Sequence, residues 1–411
     1  MNMRRGYATL AGVTAVIVLI CSAIYLGVEA AQGRTAVRTA VGSPAVWVGT
    51  WAAAPVQADL QDTARGDRSV RNVVHTSIGG SAARLTLSNL AGREPLHIAR
   101  VSLALRAGTT AAAVPGTLRR VTFRKAEAVT IAPGGQFVSD PVTLGIPYDG
   151  DLLVSIHTPA DGPVTLHPRA RQTSYLADGD RTDDVSGGSY TEQTFAWRHL
   201  TAVDVLTQDV RGAVVTIGDS ITDGVTSTID TNRRWPDRLF ERLNAHGTEQ
   251  FAVVNQGISG NRLLLEGRGP SALARFDRDV LARPGVRTVI VAIGINDLLR
   301  ASYEPDAASV TAGLTQLARR AQARDLRVLG ATLLPCAGHH RCTRAVQEAR
   351  QDINAAVRSG RIFDAVVDFD RALRDPYAPG RLLPRYDSGD HLHPSDAGFA
   401  RMARAVDPAR L

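Results

Sequence analysis

The sequence predicts two folded domains of different classes, an all-β domain followed by an α/β domain. Between Trp47 and Val205, short alternating segments such as 84–88 and 101–105 are separated by glycine and proline turns, without a long helical period. From Ala213 onward, apolar strand candidates alternate with helical patterns, which is typical of a parallel sheet covered by helices on both faces. The length of 411 residues is sufficient for two such cores.

The β domain is assigned to residues 45–206, after a small and polar linker at 32–44. Its alternating pattern predicts a sandwich of the jelly-roll type. The clearest strand candidates are 84–88, 101–105, 129–131 and 152–156. Trp47, Trp51 and Trp197 are interpreted as packing residues, with a sugar-binding platform as the alternative.

The α/β domain is assigned to residues 207–411. Its strand candidates are 213–217, 251–255, 286–292, 326–332 and 365–368. Helical patterns occupy 236–244, 307–323, 343–358 and the segment after Pro394. In open α/β sheets, ligands bind beyond the carboxyl ends of the strands, so residues at those ends are the candidates for chemistry.

The amino-terminal segment, residues 1–31, is long and apolar. Arg4 and Arg5 precede a stretch at 10–28 that has no charged residue and is close to the length of a membrane span. It is predicted to be either a signal peptide cleaved after Ala30 or an uncleaved membrane anchor. Both alternatives place the rest of the chain outside the cell, secreted or anchored, and limit membrane contact to residues 10–28.

The positive charge of the chain does not predict nucleic-acid binding. The formal net charge is +7, but Lys125 is the only lysine and the arginines are scattered along the sequence. No basic stripe with interleaved aromatic residues is present in the sequence, so we expect no nucleic-acid partner.

Two cysteines outside the apolar segment predict a local disulfide. Cys336 and Cys342 lie in a loop-like stretch that contains Gly338, and an extracellular location favours their oxidation. His339 and His340 lie between them, but a zinc site normally needs tighter spacing and a second pair of ligands.

A serine follows directly after the first strand of the α/β domain. The run 213–217 ends at Gly218-Asp219-Ser220. A serine at a strand end is a candidate nucleophile, and it requires a base, an orienting acid and oxyanion donors. Taken alone, the same serine is better explained as a helix cap, since serine and aspartate are favoured at that position.

The other strand ends supply the remaining groups of an acyl-transfer site. His393 is the candidate base, and Asp390, three residues earlier, can orient its ring. The backbone N–H groups of Ser220 and Gly260 and the side-chain amide of Asn296 are the candidate oxyanion donors. Because all these parts occur on one edge of one sheet, the nucleophile interpretation of Ser220 becomes the stronger one.

Several nearby side chains are not needed as reacting groups. Asp219 and Asp297 are interpreted as hydrogen-bonding groups that hold the loops, and His391 as a bystander. A metal-dependent hydrolase using Asp219, Asp297 and His393 is the less favoured alternative. We therefore expect neither a metal nor a cofactor.

Four sequence blocks, GDSIT, GISGN, GIND and DHLHP, resemble those of the SGNH or GDSL hydrolase family. The four letters of SGNH correspond to Ser220, Gly260, Asn296 and His393. The resemblance implies a three-layer α/β/α domain of flavodoxin-like type and ester hydrolysis without a metal. The flanking segments 234–237 and 275–277 are similar to the branch grouped with xylan-associated arylesterases.

We therefore expect a serine esterase or acylhydrolase that works through an acyl-enzyme intermediate. A small ester or an acylated polysaccharide is the expected substrate, because aromatic residues are only 5% of the chain and no long apolar lid segment is evident. A lipase or phospholipase acting on longer chains is the first alternative. A cell-surface polysaccharide-binding protein with a vestigial hydrolase domain is the second, and the presence of Ser220, Asp390 and His393 argues against it.

Overall fold

The structure is a computed structural model that describes residues 44–57, 66–160, 164–208, 210–245, 250–300 and 306–411. The predicted signal peptide or anchor at 1–31 and nearly all of the linker at 32–44 lie outside the described residues. Residues 44–411 form one compact unit. Within the described part of the chain, none of the helices has the length and apolar content that a bilayer span requires.

The amino-terminal half of this unit is built from short strands. They are β1 (Val46–Ala52), β2 (Val56–Gln57), β3 (Arg68–Thr76), β4 (Gly80–Ser88), β5 (Leu96–Ile98), β6 (Arg100–Leu105), β7 (Arg119–Arg120), β8 (Val129–Ile131), β9 (Gln136–Val138), β10 (Val142–Ile146), β11 (Gly150–Thr158), β12 (Thr165–His167), β13 (Ser174–Asp178), β14 (Glu192–Thr194), β15 (Trp197–Arg198) and β16 (Leu200–Thr207).

Two antiparallel sheets form the body of this half. One has the order β1-β16-β4-β10, with β9 also paired to β4, and the other has the order β14-β13-β3-β11-β6-β7. Val74 and Leu103 of the second sheet belong to the same buried apolar cluster as Leu85 and Val203 of the first. The predicted all-β sandwich is therefore confirmed, and burial of these alternating apolar side chains is what holds its layers together.

Two of the three tryptophans in this half are packing residues. Trp51 and Trp197 are 4% and 1% exposed, and their rings meet edge to face with centroids 4.9 Å apart. The guanidinium of Arg84 lies over the ring of Trp47, 4.6 Å from its centroid. The alternative of a sugar platform built from all three rings is wrong, because Trp51 and Trp197 are buried.

The carboxyl-terminal half alternates strands and helices. The strands are β17 (Val210–Gly218), β18 (Gln250–Gly257), β19 (Val286–Ala292), β20 (Arg327–Ala331) and β21 (Ala365–Val367). The α-helices are α1 (Ser220–Asp223), α2 (Trp235–Asn244), α3 (Ala272–Phe276), α4 (Ile295–Leu299), α5 (Ala307–Gln322), α6 (Arg344–Arg358), α7 (Phe369–Leu373) and α8 (Asp396–Ala405). A π-helical turn covers Asp277–Leu281, and 3-10 turns cover Pro384–Tyr386 and Pro408–Arg410.

These strands form one parallel sheet with the order β18-β17-β19-β20-β21. This is the flavodoxin-like order, in which the first strand of the domain is flanked by the second and the third. In strand β17, which has a neighbour on each side, Val214, Val215 and Ile217 are all 0% exposed, as expected for a parallel strand covered on both faces. The three-layer α/β/α prediction is confirmed.

The two halves are joined by direct contacts. The Gly49 N–H donates to the Pro284 carbonyl at 3.0 Å, and the Val253 N–H donates to Ser77 Oγ at 3.3 Å. The boundary predicted between residues 206 and 207 falls at the last residue of β16, immediately before the parallel sheet begins. The sandwich therefore packs against the sheet that carries Ser220.

Candidate active site

Ser220 is the first residue of the short helix α1, directly beyond the carboxyl end of β17. The helix is capped by Asp219, whose Oδ1 accepts the Ile221 N–H at 3.0 Å. The interpretation of Ser220 as the cap is therefore wrong, because the preceding aspartate already satisfies that N–H. The Ser220 hydroxyl is left available for another partner.

That partner is His393. Its Nε2 lies 2.8 Å from Ser220 Oγ, and its Nδ1 lies 2.5 Å from Asp390 Oδ2. The other carboxylate oxygen of Asp390 accepts the N–H groups of Leu392 and His393 at 3.0 and 2.8 Å. The loop thus fixes the carboxylate, the carboxylate fixes the ring, and the ring faces the hydroxyl.

The charge of Asp390 is favoured in this arrangement. Burial alone would raise the pKa of Asp390, but its hydrogen bonds with the side chain and backbone of His393 outweigh burial and hold the pKa well below its usual range. An ionised Asp390 orients Nδ1 as the donor, which leaves the lone pair of Nε2 directed at Ser220. His391 instead pairs with Asp387, with Nδ1 and Oδ2 2.7 Å apart.

The candidate oxyanion donors lie on three separate segments. The Ser220 N–H is at the first position of a helix, where a backbone N–H has no intrahelical partner. Gly260 has φ +78°, a conformation that favours glycine. The Nδ2 of Asn296 is buried and has no hydrogen-bond partner among the described residues. A buried amide without a partner costs stability, so its retention here is consistent with a donor held for a ligand.

A buried arginine ties the first two strand ends together. The Arg275 guanidinium donates to the Gly218 carbonyl at 3.1 Å and to the Gln256 carbonyl at 2.7 Å. It also donates to Asn261 Oδ1 at 3.1 Å and forms an ion pair with Asp279 at 3.1 Å. The loops that carry Ser220 and Gly260 are therefore anchored to one side chain.

The carboxylates of Asp219 and Asp297 both accept backbone N–H groups. Asp297 accepts the N–H groups of Leu263 and Leu264 at 2.7 and 3.0 Å, and so holds the loop that follows Gly260. Burial raises the pKa of Asp219 to about 7, against the opposing effect of the Ile221 N–H. Among the described residues, no group of three or more histidine, cysteine or acidic side chains is placed to hold a metal.

The structure adds a hydrogen-bond chain that the sequence did not predict. His167 of the sandwich places Nε2 2.8 Å from Asp223 Oδ1, and Nδ1 2.9 Å from the Ala54 carbonyl. Asp223 Oδ2 accepts the Ser259 N–H at 2.9 Å and also the Ser259 hydroxyl. Because Ser259 directly precedes Gly260, the sandwich supports one candidate oxyanion donor. Asp223 ends the helix that Ser220 begins, but nothing in the sequence around His167 indicates this contact.

The cysteine loop lies beside the loop that carries the base. Cys336 and Cys342 are joined by a disulfide in the structure. Gly338, inside this loop, packs so closely on His391 that a Cβ at this position would be 2.8 Å from the His391 ring. The loop is therefore part of the wall around the candidate site.

The carboxyl-terminal half matches the model of the GDSL-like lipase/acylhydrolase family over residues 216–401. Those residues belong to this family. The match includes all four blocks, from Ser220 to His393, so this part of the chain is a GDSL-type ester hydrolase. No curated protein matches the chain.

Similar solved structures each cover about half of this chain. One is a lipolytic protein of the G-D-S-L family from Desulfitobacterium hafniense DCB-2, with 24% identity over 47% of this chain and 99% of that chain and a TM-score of 0.38. Another is a catalytic mutant of Axe2, an acetylxylan esterase from Geobacillus stearothermophilus. It has 23% identity over 48% of this chain and 92% of that chain, and a TM-score of 0.38. A GDSL-like lipase from Bacteroides thetaiotaomicron VPI-5482 has 20% identity over 47% of this chain and 85% of that chain, and a TM-score of 0.34.

Proposed function

We propose that this GDSL-type hydrolase is a serine esterase in which Ser220 is the nucleophile, His393 the general base and Asp390 the group that orients it. The observation that carries the proposal is the continuous pair of contacts, 2.5 Å from Asp390 to His393 and 2.8 Å from His393 to Ser220. Hydrogen-bonded contacts of this length permit proton transfer from the hydroxyl to the ring.

In the first half of the reaction, Ser220 Oγ attacks the ester carbonyl carbon while His393 Nε2 removes the hydroxyl proton. The negative charge that develops on the carbonyl oxygen is received by the N–H groups of Ser220 and Gly260 and by Asn296 Nδ2. When the tetrahedral intermediate collapses, the bond to the alcohol oxygen breaks. His393 then donates its proton to the departing alcohol, and the acyl group remains on Ser220.

In the second half, water takes the place of the alcohol. His393 Nε2 removes a proton from the water, whose oxygen attacks the acyl carbon, and the same donors receive the charge. Collapse of the second intermediate breaks the bond to Ser220 Oγ, and His393 returns the proton to it. Asp390 keeps its charge throughout and stabilises the protonated ring.

We propose short-chain or carbohydrate O-acyl esters as the substrate class. Several charged and polar side chains lie near the site: Arg268 and Arg300 are beside Gly260, and His339 is close enough to feel the charges of Asp390 and His393. A polar rim suits a hydrophilic alcohol better than the surface of a lipid aggregate. Longer-chain lipase activity stays the alternative, and an acyl series of nitrophenyl esters from acetyl to palmitoyl, measured beside acetylated xylan, separates the two. A preference for long chains would contradict the carbohydrate proposal.

The experiment that tests the serine mechanism is labelling with a fluorophosphonate probe. The folded wild type is expected to react at Ser220, and the Ser220→Ala variant is expected to stay unlabelled with the same unfolding curve. If the wild type is not labelled, the site is not an active serine hydrolase site, and the vestigial polysaccharide-binding alternative gains support.

We also propose that the protein acts outside the cell, secreted or held by residues 10–28. The charge pattern of the amino terminus and the Cys336–Cys342 pair support export to an oxidising compartment. Protease treatment of intact cells, compared with the medium fraction, is expected to find the hydrolase outside. A protein found only within lysed cells would contradict this location.

A further inference from the structure

Four arginines from three separate segments converge beside the candidate site. Arg262 and Arg268 lie in the loop after Gly260, Arg300 ends the turn begun by Asn296, and Arg341 lies in the disulfide loop. Burial and repulsion from Arg341, Arg268 and Arg262 lower the pKa of Arg300, which places the four charges in one electrostatic neighbourhood. Arg268, Arg300 and Arg341 are exposed to solvent.

This arginine cluster borders two candidate oxyanion donors. A Cβ at Gly260 would lie 3.0 Å from Arg300 Nη2 and 3.1 Å from Arg268 Cγ. The Arg300 N–H donates to the Asn296 carbonyl at 3.1 Å, so Arg300 is anchored to the turn that carries the amide donor. An ion held by the cluster would therefore be close to the ester that Ser220 attacks.

The cluster has a nearby carboxylate but no ion pair among the described residues. Burial raises the pKa of Asp297, and the charge of Arg262 opposes that rise. None of its four guanidiniums forms an ion pair with a described carboxylate; the one side-chain hydrogen bond found is from Arg262 to the Glu266 backbone carbonyl. By contrast, two buried arginines of this domain are neutralised, because Arg275 pairs with Asp279 and Arg350 pairs with Asp370. Guanidiniums held together without ion pairs to carboxylates form a site for carboxylate or phosphate, which they bind through forked hydrogen bonds.

We propose that the arginine cluster binds an anionic group, a carboxylate or a phosphate, that the substrate carries close to its scissile ester. The preferred substrate is then an acylated acidic molecule, such as an O-acylated uronate-bearing glycan or an acylated phosphate ester. This inference rests on the proposed esterase function and adds the charge of the substrate to it. Because the charges are exposed, the cluster also attracts such substrates before they bind, in a manner that salt weakens.

The test uses three acetate esters that share one aromatic core: meta-acetoxybenzoate, its uncharged methyl ester and meta-acetoxyphenyl phosphate. The measured quantity is kcat/KM for each anionic ester divided by kcat/KM for the uncharged ester, so each variant is judged on a ratio. The ratio is expected to fall by about fivefold in Arg300→Gln, and further in Arg268→Gln/Arg300→Gln. In the wild type it is expected to fall as ionic strength rises. The carboxylate and phosphate arms show which anion is preferred.

The matched control is Arg319→Gln, which removes the same charge elsewhere. Arg319 is exposed in the last turn of α5, a helix that runs back to the edge of the sheet where strand β20 begins, opposite Ser220. In Arg319→Gln, kcat and KM for the three esters are expected to be unchanged. If Arg300→Gln fails to fold, Arg268→Gln and Arg341→Gln carry the same test.

Two outcomes overturn the inference alone. An equal fall for charged and uncharged esters would mean that Arg300 supports the oxyanion or the fold, and an unchanged ratio in every cluster variant would mean that the charges do not meet the substrate. If the wild type hydrolyses none of the three esters, the proposed function fails, and this inference fails with it.

Discussion

Replacing His167 by alanine tests whether the sandwich supports the candidate site. The His167 and Asp223 side chains are only 4% and 3% exposed, and their Nε2 and Oδ1 atoms are 2.8 Å apart. The variant leaves the Asp223 carboxylate buried with only its Ser259 contacts. Loss of one partner of a buried ion pair typically costs about 3–5 kcal/mol. Because Asp223 keeps two hydrogen bonds, we expect the lower end, about 3 kcal/mol.

The assay is denaturant unfolding of wild type, His167→Ala, Asp223→Ala and the double variant. The double-mutant cycle isolates the interaction between His167 and Asp223, and we expect a coupling free energy of at least about 1 kcal/mol. In parallel, kcat is expected to fall in His167→Ala, because Asp223 then holds Ser259, and with it Gly260, less firmly. A coupling below about 0.5 kcal/mol, the scatter of independent sites, would refute the reasoning.

The pair also gives a pH dependence with a definite sign. Burial opposes the charge of His167, but the Asp223 carboxylate outweighs it and raises the pKa of the ring. A raised histidine pKa contributes stability that is present below the unfolded-state value and is lost as the pH rises through the folded-state value. The wild type should therefore be more stable than His167→Ala at low pH. This difference in unfolding free energy should shrink as the pH rises through the folded-state pKa of His167. An advantage that grows with pH would contradict the charged pair.

Three further variants test the site itself. Asn296→Ala is expected to lower kcat by about 10²–10³-fold while leaving stability unchanged or higher, because the amide it removes is buried without a partner among the described residues; a large loss of stability in urea unfolding would contradict this. Asp390→Asn is expected to lower kcat by about 10⁴-fold, since the ring then takes the wrong tautomer, and to lower stability at neutral pH, since the lowered pKa of Asp390 means that its ionised form stabilises the fold; near-normal turnover would show that another group orients His393. Asp219→Asn keeps a side chain able to cap α1 and removes a carboxyl whose pKa burial raises to about 7. The folded wild type holds a proton there that the unfolded chain releases near the ordinary pKa of 3.8, so the wild type should lose about 3 kcal/mol of unfolding free energy relative to the variant between pH 5 and pH 8. A constant difference across that range would refute the raised pKa.

Those features of the site that involve only a few consecutive residues could be predicted from the sequence. The run that becomes β17 is apolar and ends in glycine, so the position of Ser220 beyond a strand follows from a few residues. Asp390 and His393 are three residues apart in one loop, and their contact needs no distant support. Helix ends were equally local: α5 is predicted at 307–323 and found at Ala307–Gln322.

The flavodoxin-like order of the sheet was implied by the family resemblance and not by the strand pattern. Hydrophobic periodicity identifies strands, but it does not state which strand lies next to which. The cap of α1 was also ambiguous, because both serine and aspartate are good caps. Only the backbone path decided that Asp219 accepts the Ile221 N–H and that Ser220 is free for His393.

By itself, the sequence determined the two fold classes, the strand ends that carry Ser220, Gly260 and Asn296, and the pairing of Asp390 with His393. Each of these features depends on the spacing of a few neighbouring residues, which can be read directly from the sequence. The tertiary structure alone decided that His167, 56 positions before Asp223, reaches the site, and that arginines scattered along the sequence meet beside Gly260. Such contacts depend on how the sandwich and the loops pack against the sheet, and packing between distant segments leaves no periodic signal in the chain.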